Sequence, residues 1–248
     1  MNIENIKKVN KDIVKDGRVQ SFKEQLFDVF TGGYDLNNMM VVSDNSKTLN
    51  YVDGIDENKI ITISPNKVLK VMTEHKLSLQ ELGEIENLLK NSVIAFDSLT
   101  HESSRVVVLD KQDIDGNILI AIFKTDTTVN VLDVNKITSI YGKKNFENFI
   151  NRTYEAGKNI YVNDKTKEFV DTQGLQLPNC ITNSLYSNDI GVINISQALN
   201  NNQIEELLIE GAKKAIINHL NDRGENKKFL YEKFNEDNPD IKHIQMGE

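Results

Sequence analysis

The sequence predicts an α+β protein: a helical N-terminal part packed on a mainly antiparallel sheet of four to five strands, with a C-terminal helical extension. Three observations carry this. Short runs rich in Val, Ile and Phe crowd residues 92–134, and turn signals separate them. Apolar residues at helical spacing flank that block on both sides. Beyond Ser196 the chain changes to one long amphipathic stretch and then a charged tail. These shifts divide the 248 residues into 1–60, 61–196 and 197–248.

Taken in order, residues 2–15 predict a charged helix with Ile3, Ile6, Val9 and Ile13 on one side, ended by Gly17. Residues 19–30 predict a stronger helix, since Val19, Phe22, Leu26 and Phe30 share a face. Thr31-Gly32-Gly33 closes it. NNMMVVS and KIITIS read as short strands, and Pro65 opens a helix over 66–75. Ser78 with Glu81 three residues on is a capping box for the helix LQELGEIENLLKN. SVIAFDS, SRVVVLD, ILIAIFK and TTVNVLDV then read as four strands of an antiparallel meander, with Asp115-Gly116-Asn117 as a tight hairpin between the second and third. ITSIYGK at 137–143 reads as a polar, lysine-bearing turn. Residues 144–157 predict a helix with Phe146, Phe149, Ile150 and Tyr154 inward. A strand at 159–163, a short helix at 164–174 and a last strand at 191–196 follow. Residues 204–220 form an amphipathic helix carrying Ile204, Leu207, Leu208 and Ile216.

Composition narrows the function. The net charge of −8 disfavours a general nucleic-acid binder, which carries a basic footprint. From Lys136 to Glu168, however, seven basic side chains face four acidic ones, a local balance of +3. A single cysteine, Cys180, excludes an internal disulfide framework and a cysteine-rich zinc site. The polar N-terminus has no apolar core of a signal peptide, and no run approaches the roughly 20 apolar residues of a membrane span. A cytoplasmic location, with no membrane partner, is the expectation. No phosphate-loop, dinucleotide or His-Glu-x-x-His pattern occurs, so neither a cofactor nor a metal is expected.

Five pieces of the sequence occur in an order that resembles the C-terminal domain of phage MuF-type proteins. They are His75-Lys76-Leu77-Ser78, Ser92-Val93-Ile94-Ala95-Phe96-Asp97-Ser98, Ile137-Thr138-Ser139-Ile140-Tyr141-Gly142-Lys143, Ile160-Tyr161-Val162 and Gly174-Leu175-Gln176-Leu177-Pro178. They span roughly residues 60–195. The resemblance implies a fold similar to the barnase–EndoU–colicin–RelE nuclease group. It also implies a toxin or effector role in phages and mobile elements, and metal-independent RNA cleavage. The chain departs from the pattern in lacking the portal-associated head domain, in its acidic balance and in its C-terminal extension.

Such cleavage needs a base for the ribose 2′-OH, an acid for the leaving oxygen and cations for the phosphorane. His101, with Glu102 and Arg105 in the loop between two predicted strands, is the candidate base or acid, with Arg105 as a phosphate clamp. A solvated hairpin loop is the rival reading of that segment. Ser139, Tyr141, Lys143 and Lys144 precede a helix whose N-terminus favours an anion, and Gly142 permits close backbone approach. Their rival reading is a helix cap with solvated lysines. Arg152 is a further phosphate contact or a surface ion pair. Gln173, Gln176 and Tyr161 are candidate base contacts. His75 reads as a cap contact first and as a catalyst second. The expected partners are therefore RNA and, for a toxin, an immunity protein. The alternatives are a non-catalytic phage protein that binds a host defence protein, with residues 204–220 as a partner or homodimer surface, and a capsid-associated protein ejected with the genome.

Overall fold

The apolar runs between 92 and 134 become the middle of one large sheet. The computed structural model describes residues 3–75, 77–178, 181, 182 and 185. Its strands are β1 (Val14–Lys15), β2 (Arg18–Val19), β3 (Met40–Ser43), β4 (Ile61–Ile63), β5 (Ile94–Asp97), β6 (Ser104–Gln112), β7 (Ile118–Val129), β8 (Leu132–Lys143) and β9 (Ile160–Val162). Its helices are α1 (Ile3–Val9), α2 (Phe22–Thr31), α3 (Pro65–His75), α4 (Leu79–Gly83), α5 (Ile85–Lys90), α6 (Phe146–Glu155) and α7 (Thr166–Gln173). The last seven strands form one sheet in the order β3-β4-β8-β7-β6-β5-β9. Every junction is antiparallel except β4 against β8.

The expected α+β class and the antiparallel pairing of the first three expected strands, now β5, β6 and β7, are present, but the fourth strand is β8 rather than TTVNVLDV, and the sheet has seven strands rather than four or five. The extra width comes from β3 and β4, whose short runs join the sheet through the parallel pairing of Ile61–Ile63 with Asn135–Ile137. Long, nearly continuous apolar strands follow from burial on both faces. Ala95, Val107, Leu119 and Phe123 face α2, α3, α4 and α5. Ile94, Phe96, Val106 and Ile120 face α6 and α7. Ile6, Val9 and Ile13 cover the β3–β4 end beside Val41 and Val134. Phe96 and Phe123 are fully buried. Truncating either to Ala costs about 3–5 kcal/mol, because the lost contacts leave a cavity.

Five sequence expectations change. The helix expected over 19–30 starts at Phe22, and Val19 lies in β2 instead. The helix expected over 2–15 stops at Val9, and the chain turns back as the small hairpin β1–β2. Asp16 and Gly17 supply the two positive φ values that a tight turn needs. TTVNVLDV is not one strand but the end of β7 and the start of β8, joined by a turn at Asn130: Val129 pairs with Leu132, and Asn130 takes a positive φ. ITSIYGK is not a turn but the second half of β8, paired through Lys143 with Ile118. The helix expected over 79–91 breaks at Glu84, whose N–H reaches back to Glu81 and Leu82.

Ser21–Glu24 and Ser78–Glu81 both close complete capping boxes, and Gly32 ends α2 in the left-handed conformation. The strand at 191–196, the helix at 204–220 and Cys180 lie outside the described residues.

Candidate functional site

The β8 strand carries three of the candidate residues. Strand alternation puts Ser139, Tyr141 and Lys143 on one face, the face covered by α6, because they pair with Ile122, Ile120 and Ile118. β4 pairs with β8 only as far as Ile137, so among the described residues Thr138–Lys143 have no strand on that side. Instead α3 packs against β8 there. Its last residue, His75, places its ring 5.3 Å from the Tyr141 ring, centroid to centroid, with a 35° tilt. Burial of Tyr141 pushes its phenol up, so at neutral pH the hydroxyl keeps its proton. Two residues along, Lys143 Nζ lies 4.1 Å over the Phe149 ring, a cation–π contact that holds the ammonium against α6. Phe149 is held in turn by an edge-on contact with Phe96 in the core.

Lys143 also opens onto a cleft of about 430 Å³ between the β6–β7 hairpin, the first turn of α6 and the end of α7. Asn145 enters α6 in the left-handed conformation and gives no side-chain cap. The uncapped first turn, Asn145–Asn148, lines the cleft, and the leading N–H groups of a helix have no partner within it. Gln112 on β6 donates to Gln173 Oε1 on α7 at 2.6 Å across one wall. Glu147 is the only acidic side chain among the lining residues, and its Oε1 accepts the Gln176 N–H at 2.6 Å.

Gly142 serves a purpose other than ligand approach. A Cβ there would lie 1.8 Å from Asp113 Oδ2. The Asp113 carboxylate needs that space because its Oδ1 accepts the N–H of Asp115 at 2.9 Å and of Asn117 at 2.8 Å, which shapes the β6–β7 turn beside the cleft.

The remaining candidates are dispersed. Lys144 is exposed at the β8–α6 junction, and Arg152 is exposed on α6. Gln176 is exposed and reaches the site only through its backbone bond to Glu147. His101 is exposed in the β5–β6 loop, its N–H donating to Ser98 Oγ at 3.3 Å. That loop ends at Ser104, opposite Lys124, whereas Lys143 is opposite Ile118. Six strand residues separate the two ends, so His101 and Lys143 stand roughly 20 Å apart.

Arg105 is tied down at the His101 end. Its Nε donates to Asp53 O at 2.7 Å and lies 3.2 Å from Asp97 Oδ1, while Nη1 donates to Glu102 O at 3.0 Å. Asp97 also accepts from Tyr161 Oη and Asn159 Nδ2. Burial first, and the Asp97 carboxylate next, push the Tyr161 phenol up to about 12. This network locks β5, β6 and β9 together.

The structure thus joins Ser139, Tyr141 and Lys143 and sets His101 and Arg105 apart from them. His75 was legible as the first of five ordered sequence pieces, and Tyr141 as part of the third. Their convergence needed the β4–α3 crossover, which no local pattern announces. Among the described residues no three His, Cys, Asp or Glu side chains form a group that could hold a metal ion, and no helix is long and apolar enough to cross a membrane.

No curated protein and no solved structure matches the chain. Residues 67–168, from within α3 through the whole β5–β9 meander into α7, match the family model of the phage MuF-C-terminal domain, and this part of the chain is therefore similar to a phage domain.

Proposed function

We propose that the chain is a phage effector that cleaves RNA without a metal ion at the outer edge of β8. The observation that carries this reading is the meeting of His75 with Tyr141, with Lys143 on the same strand face and an uncapped helix N-terminus beyond it. In the reaction the ribose 2′-oxygen attacks the neighbouring phosphorus while the bond from phosphorus to the 5′-oxygen breaks. The products are a 2′,3′-cyclic phosphate and a 5′-hydroxyl end. Histidine is the side chain whose ordinary pKa suits proton removal near neutrality, and His75 takes the proton of the 2′-OH, while solvent water protonates the departing 5′-oxygen. Lys143 and the first turn of α6 face the charge that builds on the phosphorane oxygens. Tyr141, held protonated by burial, donates to the same oxygens. Ser139 continues the polar row along the strand, and Lys144 and Arg152 supply long-range attraction for the backbone.

The test is a gel of total bacterial RNA incubated with the purified chain in EDTA. Discrete cleavage is the expected result. Intact RNA at high protein concentration overturns the reading.

A second reading has its own observation. An apolar groove of about 500 Å³ runs between α2 and α4, lined by Leu26, Phe27 and Leu79. Phe27 is 62% exposed and Phe30 is exposed as well, so α2 presents aromatic side chains outside its buried face. That surface suits a non-catalytic role in binding a host or immunity protein. Capture of a specific host protein that Phe27→Asp abolishes, from a chain that leaves RNA intact, supports it.

A further inference from the structure

We infer that the cleft beside Lys143 is a base-reading subsite for single-stranded RNA, with the Gln112–Gln173 amide pair as its specificity element. The inference rests on the RNA reading above and adds what the chain selects. The two side chains come from different elements, β6 and α7, and meet in a single 2.6 Å hydrogen bond. That bond uses one N–H of Gln112 and one lone pair of Gln173 Oε1. Gln112 keeps an amide oxygen and an N–H, and Gln173 keeps both of its N–H groups. Among the described residues neither amide makes another hydrogen bond. The pair therefore offers a donor and an acceptor side by side, oriented by each other and facing a cavity.

A side-chain amide of this kind matches a nucleobase edge with a neighbouring donor and acceptor, such as N6 and N7 of adenine. The cavity of about 430 Å³ falls within the roughly 300–1,000 Å³ of small-ligand sites. Leu175 and Phe146 supply apolar wall, and Lys143 is the only cation among the lining residues. Base and phosphate of one nucleotide thus have complementary partners within one cleft. A base inside an A-form duplex cannot present its edge here, because the major groove is deep and narrow. The substrate class is therefore an unpaired segment, a loop or a free end.

The experiment titrates the full chain with adenosine, guanosine, cytidine and uridine 3′-monophosphates, followed by NMR of the side-chain amides. The expected result is a spread of about tenfold or more between the tightest and weakest nucleotide. That spread collapses in Gln112→Ala and in Gln173→Ala, and Gln112→Glu changes which base is preferred. Lys143→Ala weakens all four alike. Equal binding of the four nucleotides, no binding, or a spread that survives both glutamine changes overturns the subsite. The cleavage gel reads the reaction separately. Selective nucleotide binding by a chain that leaves RNA intact keeps the subsite and removes the reaction. Cleavage with indifferent nucleotide binding does the reverse.

Discussion

Gly142→Ala is the most informative stability change, because Gly142 lies between Tyr141 and Lys143 in sequence but on the opposite face of β8. The new Cβ would stand 1.8 Å from Asp113 Oδ2 and 2.5 Å from its Cγ. The carboxylate must then swing away and release the N–H groups of Asp115 and Asn117. Each bond to a charged acceptor is worth about 1.5–3 kcal/mol. The turn is partly solvated, and water recovers some of that. The expected cost is about 2–4 kcal/mol, which for a chain of this length lowers the Tm by about 4–16 °C. Gly142 has no positive φ, so its backbone conformation adds no strain. In an Asp113→Ala background the carboxylate that causes the clash is gone, and the next neighbour, Asn117 Cβ, lies at 3.0 Å. There Gly142→Ala is expected to be close to neutral. Thermal melts of the four chains of this double-mutant cycle measure the coupling. Additive losses would refute the account of why a glycine sits at this position.

Other outcomes follow from the same geometry. Tyr141→Phe keeps the ring against His75 and removes only the hydroxyl, so the melt should be nearly unchanged while RNA cleavage falls about tenfold or more. Arg105→Leu strands the half-buried Asp97 carboxylate and should cost about 3 kcal/mol in urea unfolding, and a loss below about 0.5 kcal/mol would show the network to be ornamental. On acidification, the Arg18 guanidinium and then the Ser21 N–H hold the Glu24 carboxyl down at about 2, and the Ser78 N–H similarly lowers Glu81. Both groups are depressed in the folded chain, so their contribution is complete above the ordinary carboxylate range and is lost as pH falls below it, for Glu24 between about 4.5 and about 2. Stability measured over that window should fall less steeply in Glu24→Gln.

Much of the fold was legible because local chemistry and tertiary packing agree. The capping boxes at Ser21 and Ser78, the Gly32 stop and the Asp115-Gly116-Asn117 hairpin rest on interactions within a few residues, and a sequence records those directly. The misreadings share one cause. Thr127–Val134 and Ile137–Lys143 both look strand-like and turn-like, and the β7–β8 pairing decides that the turn falls at Asn130 and that Ile137–Lys143 is strand. A single apolar run cannot announce its register. The site followed the same rule. Ser139, Tyr141 and Lys143 share a face by strand periodicity, which is readable once β8 is known to be a strand. His75 joins them only because α3 returns along the unpaired edge of β8. His101 drew attention through sequence neighbours that turn out to serve the sheet, with Arg105 spent on Asp97 and the Asp53 carbonyl.

The measurement closest to the central claim compares His75→Ala and His101→Ala in one assay, the cleavage of a short unpaired RNA in EDTA. The account predicts that the His75 change lowers the rate by about 10²-fold or more, while the His101 change leaves it within about threefold. Near-UV circular dichroism of both variants should match the parent chain. Loss of cleavage on changing His101 with His75 dispensable, or full cleavage by both, would contradict a site built at the edge of β8.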